Sequence, residues 1–165
     1  MIIDTAQAVA SAMGGLYDRY RQWVDARNDV EALTGLVCLE LRRNLALLDA
    51  LRIDDAPEDS AAFLQATQLI ETEVLEQIFL PGKGSARLRE RLDAPSAKDR
   101  DAEDDDDSVP MTNHLMRLYV RIIAVQKLSA LPQDAQGLRR IRYGQRLRHI
   151  RARAAEALER IEADR

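Results

Sequence analysis

From Val30 to Leu48 the chain sets an apolar residue at every third or fourth position: Val30, Leu33, Val37, Leu41, Leu45 and Leu48. That spacing follows the turn of an α-helix and not the two-residue alternation of a strand. Leu36, Cys38, Leu47 and Leu51 widen the stripe. A helix with so broad an apolar face has to be covered by other elements. The pattern predicts a helix over 29–52 at the centre of a helical bundle.

The same period recurs along the chain. Ile2, Ala6, Val9, Met13, Leu16, Tyr20, Trp23 and Val24 predict a first helix, interrupted by Gly14 and Gly15. Adjacent glycines cost roughly 1 kcal/mol each against alanine in a helix interior. They mark a kink or the close passage of another helix. Asn28, three residues before Glu31, has the pattern of a helix cap, so a break is expected near 25–29. Phe63, Thr67, Ile70, Val74 and Ile78 predict a third helix reaching Leu80 and ended by Pro81 and Gly82. Ala86 to Leu92 adds a short helical turn. Ser108 before Val109 and Pro110 reads as a helix start. Met111, Leu115, Leu118, Tyr119, Ile122, Ile123, Val125 and Leu128 follow at helical spacing, and Leu131-Pro132 stops them. A last helix runs from Asp134 to Asp164; the short connection sets it antiparallel to the one before.

Aromatic residues make up only 4% of the chain. The core must then be Leu, Ile, Val and Ala, which favours interlocking helices over a β-sandwich. The expected fold is all-α: one domain over 1–165, an up-and-down bundle of about five helices, the first two joined or kinked. Within the most apolar helix, Glu40, Arg43 and Asn44 form a small polar group. Glu40 and Asn44 are one turn apart and read as a pair on a solvated edge; the alternative is a polar contact to another helix or a ligand.

Charge marks two segments. Asp93 to Asp107 holds eight acidic residues, ending in four consecutive aspartates, against Lys98 and Arg100. Such a run repels itself and buries nothing, so 93–108 is expected to be a mobile acidic loop. It lacks the spaced frame and glycine of a calcium loop. Leu138 to Arg153 is its opposite, with seven arginines and no carboxylate. At about 100° per residue, Tyr143, Leu147, Ile150, Ala154, Ala157, Leu158 and Ile161 share an apolar arc. Arg142, Arg146, His149 and Arg153 form a second stripe on its flank, with Arg139 at the border. A guanidinium matches phosphate with two parallel donors. Arg139, Arg142, Arg146 and Arg153 are therefore the candidate polyanion-binding residues.

Several function classes lack their residues. No apolar run approaches the roughly 20 residues that span a bilayer, and no basic segment opens a secretory signal at the start. The single cysteine, Cys38, excludes an intrachain disulfide and fits a reducing compartment. A cytoplasmic protein is expected. Pro81-Gly82-Lys83-Gly84-Ser85 lacks the spacing of a phosphate loop and follows a helix. With no His/Cys cluster, E-x-x-H or nucleophile motif, no metal and no cofactor are expected.

Arg142 and His149, with six residues between them on a C-terminal helix, resemble the R-x(4-6)-H signature of the HEPN superfamily. That resemblance implies a dimeric, metal-independent ribonuclease. Arg142 would stabilise the phosphate, and His149 would act in acid–base chemistry. The position after the arginine, polar in much of the family, is Tyr143 here. His114, beside Asn113, is the other residue able to exchange protons near neutral pH.

The expected function is that of a helical-bundle interaction or regulatory protein. Its helix faces would bind a partner protein or second copy, or nucleic acid through the basic C-terminal helix. Ile2, Ile3, Leu138 and Ile141 offer apolar surface for such contact. The ribonuclease is the alternative. In a third reading the aspartate run competes with nucleic acid for a basic surface.

Overall fold

The computed structural model describes residues 29–55, 64, 67–94, 109–130 and 142–164. Within them lie five helices and no strand: α1 (Val30–Ala50), α2 (Glu73–Phe79), α3 (Lys83–Leu92), α4 (Met111–Ser129) and α5 (Tyr143–Ala163). The chain is all-α, as the periodicity predicts. The N-terminal periodic segment, the acidic run from 95 to 108, and Leu131 to Ile141 lie outside the described residues.

α1 is the central element, packing against α2, α3 and α5, while α4 closes over α2 and α5. Leu33, Val37, Leu41 and Leu48 are fully buried with Leu115 and Leu118 of α4 and Leu147 and Ile150 of α5. α4 and α5 run antiparallel, as the short connection implies. Near the start of α4, the His114 ring meets the Arg153 carbonyl, and the Val109 carbonyl meets Arg160. At the other end, Ser129 reaches the Tyr143 hydroxyl.

The start of α1 differs from the sequence reading by one residue. Asn28 lies outside the described residues, and Asp29 is the cap. Its Oδ1 accepts from the backbone N–H groups of Glu31 at 3.0 Å and Ala32 at 3.2 Å. Two of the free donors of the first turn are thereby paired.

The third predicted helix is not continuous. Thr67 to Leu69 close a turn, residues 70–72 are not helical, and α2 begins only at Glu73. The cause lies on α1, in the polar pair read as solvated. Glu40 and Asn44 are each only 2% exposed. Asn44 pairs with both backbone groups of Glu71, accepting its N–H at 2.8 Å and donating to its carbonyl at 2.7 Å. Glu40 accepts from the N–H groups of Val74 at 2.7 Å and Leu75 at 2.9 Å, one on each carboxylate oxygen. A buried backbone group that loses its helical partner needs another. Glu40 and Asn44 supply four such partners, so the chain can turn inside the core and restart as α2.

The expected turn at Ala86–Leu92 is part of a longer helix, α3, which starts at Lys83. Asp93, assigned from sequence to the mobile loop, is fixed. It ends α3, and its carboxylate accepts from the Thr112 N–H at 2.8 Å and the Thr112 hydroxyl at 2.5 Å. Thr112 lies in the first turn of α4, whose cap position, Pro110, has no side chain to offer. Asp93 thus takes the capping role expected of Ser108, which lies outside the described residues.

Candidate functional site: a basic flank on α4 and α5

α5 begins at Tyr143, not in a helix running from Asp134. Arg142 stands at its cap in the left-handed region, φ 52° and ψ 49°. A non-glycine residue there costs roughly 1 kcal/mol or more. Tyr143 offsets that cost. It is fully buried, and its hydroxyl donates to the Thr67 hydroxyl at 2.5 Å. The first turn of α5 is thereby pinned to the turn at 67–69, and Arg142 is left at the surface.

The arginine-rich run divides by helical phase. One set faces α1. Arg148 Nε donates to the Ile53 carbonyl at 3.2 Å. Arg151 Nε donates to Asp49 at 2.5 Å, with its Nη1 3.6 Å from Asp54. Lower on the same side, Arg42 of α1 pairs with Glu162. These arginines tie α5 to α1 and to the loop that follows it.

The other set faces away from α1, toward α4. It contains Arg146, His149 and Arg153 of the stripe predicted from sequence; Arg142 precedes them at the cap, outside the helix. Arg142, Arg146 and His149 are exposed and Arg153 is half-buried. Arg142 and His149 are seven residues apart, roughly 10 Å along the axis. Arg139 lies outside the described residues. His114 does not join His149. It is 5% exposed, its Nε2 donates to the Arg153 carbonyl at 3.1 Å, and Glu156 lies 3.8 Å away. That contact fixes the side of α4 that meets α5.

Two residues of this flank escape a reading confined to the last helix. Arg117 and Arg121 lie roughly one and two turns after His114 and on its side of α4. The opposite flank of α4 meets α2, where the Tyr119 ring packs at a tilt against Phe79 with centroids 6.2 Å apart. Arg117 and Arg121 are exposed and have no ion-pair partner among the described residues. In the antiparallel register set by His114 and Arg153, Arg117 is about level with His149 and Arg121 with Arg146. A sequence signal for them exists. Residues 108–155 carry nine arginines and one lysine but a single carboxylate, Asp134. Neither α4 nor the first three turns of α5 has an acidic residue to neutralise the flank. Glu156, beside His114, closes its far end.

The face is thus arginine-rich and open. Tyr143, the one aromatic near the stripe in sequence, is core and offers no stacking surface. Among the described residues no three His, Cys, Asp or Glu side chains gather as metal ligands, and no helix is long and apolar enough to cross a membrane. No known protein family, curated protein or solved structure significantly matches this chain.

Proposed function

We propose that this protein is a cytoplasmic interaction or regulatory module that binds a polyanion on the α5 flank formed by Arg142, Arg146, His149 and Arg153. One observation carries the reading: Arg146, His149 and Arg153 fall on one side of α5, with Arg142 at its cap and no carboxylate among them. Arg148 and Arg151 are committed to α1 and lie outside the site. Guanidinium groups on a fixed helix hold phosphate or carboxylate with paired, charge-assisted hydrogen bonds. A second copy of the chain or an acidic partner protein would be bound by the same chemistry.

Arg142→Glu/Arg146→Glu is expected to weaken binding to heparin roughly tenfold or more at low salt, because two attractive charges become repulsive. Both side chains are exposed, so the far-ultraviolet circular dichroism should not change. Unchanged retention on a heparin column, with the fold intact, rejects the site.

The second reading, a metal-independent ribonuclease like those of the HEPN superfamily, rests on Arg142 at the cap of α5 and His149 two turns on, both exposed. A histidine can move a proton near neutral pH, and a guanidinium can offset charge developing on phosphorus. In this reading the purified protein cleaves RNA in the presence of EDTA, and His149→Ala lowers the rate at least a hundredfold. Cleavage that survives this substitution excludes His149 as the acid–base group.

A further inference from the structure

The flank has a second row of charge, on α4, and that row narrows the ligand. We infer that α4 and α5 together bind the phosphodiester backbone of a nucleic-acid duplex, without reading its sequence, through Arg117 and Arg121 on one side and Arg142, Arg146 and Arg153 on the other. The inference rests on the polyanion site of α5 and deepens it.

Three observations favour a duplex. The rows belong to two packed antiparallel helices, whose axes lie roughly 8–10 Å apart. Arginines from the two rows can then meet phosphates of both strands across one groove. An extended acidic peptide is a single line of carboxylates and would engage one row. The α5 row is roughly 16 Å long, enough to follow several successive phosphates of one strand. Finally, the flank has no exposed aromatic side chain among the described residues. Tyr119 packs against Phe79 at the opposite side of α4, and Tyr143 is buried. Proteins that prefer single strands stack bases on such rings. A face of arginines alone contacts phosphates, which fix position and carry no sequence information.

Arg117, Arg121, Arg142 and Arg153 make no ion pair with any described residue, so their donors need not be released before a phosphate is bound. Arg153 is also held from behind. The buried His114 fixes its carbonyl at 3.1 Å, which ties the α5 row to α4 where the two rows meet.

The test is fluorescence anisotropy of the full chain with a labelled 20-base-pair DNA duplex, an RNA duplex of the same sequence, their single strands and a polyglutamate peptide. Two unrelated duplex sequences should bind within about threefold of each other. Log affinity should fall with log salt at a slope of about −4, the value for four to five phosphates. Arg117→Gln/Arg121→Gln should reduce that slope by about 2 and weaken duplex binding roughly tenfold at 50 mM salt. The relative affinity for DNA and RNA identifies which duplex is the natural one.

Loss of duplex binding in Arg142→Glu/Arg146→Glu, with none in the α4 variant, overturns this inference and leaves the α5 reading standing. Loss in neither removes both. Equal affinity for polyglutamate and duplex also overturns it and assigns the face to an acidic protein. A thermal melt of each variant separates lost contacts from lost fold: a wild-type melting curve with wild-type affinity rejects the α4 row.

Discussion

Between pH 4.5 and pH 7 the titration of Glu40 is expected to remove roughly 3 kcal/mol of stability, and Glu40→Gln is expected to abolish that contribution. Burial pushes the Glu40 carboxyl up to about 7 from its ordinary 4.5, with Glu73 and Glu71 adding to the rise. The N–H bonds from Val74 and Leu75 pull the other way, because they favour the ionised form. The folded state therefore holds a proton that the unfolded state has released throughout this interval. Its stability falls as pH rises from the unfolded value to the folded one and is flat above it. In the glutamine variant this position does not titrate. At pH 5 that variant should also be less stable by roughly 1–3 kcal/mol, since an amide NH2 would face one of the two backbone donors. Denaturant midpoints at pH 5 and pH 8 for both proteins measure the effect. A gap between wild type and variant that stays constant with pH would show that Glu40 does not titrate in this range.

Tyr143→Ala is expected to cost roughly 3–5 kcal/mol, the range for emptying an aromatic site in a packed core. Tyr143 is fully buried, and its hydroxyl joins α5 to Thr67, itself only 1% exposed. Tyr143→Phe keeps the ring and removes the bond, so a smaller loss of roughly 1–2 kcal/mol is expected. Urea titration with a common slope reads both values. If the alanine variant were destabilised by less than about 1 kcal/mol, Tyr143 would not be the anchor that sets Arg142 at the surface. Polyanion binding should survive in the phenylalanine variant, because the ring alone fills the site from which α5 starts.

The apolar period of α1 is legible because burial on a helix repeats with the turn, and the same holds for α4 and for the seam of α5. The break before α2 is not. Thr67, Ile70, Val74 and Ile78 keep helical spacing across it, and each is buried, so the pattern survives while the helix stops. What stops it is a pair of side chains roughly thirty residues earlier, and no local window contains both. The same reason hides the role of Asp93. Its acidic neighbours in sequence suggest a solvated run, while its partner Thr112 lies 19 residues on.

The candidate site divides in the same way. The sequence alone determined the helical class, the apolar seam of α5, and the stripe of Arg146, His149 and Arg153, because each follows from helical phase within one element. The tertiary structure alone decided which arginines α1 takes up. Arg148 and Arg151 are as basic as their neighbours, but Asp49, Asp54 and the Ile53 carbonyl take them up from α1. It also decided that Arg117 and Arg121 stand beside the α5 row, through the antiparallel packing fixed by His114 on Arg153. Helical phase is a property of one segment. Which flank is covered, and by what charge, depends on contacts between residues far apart in the chain.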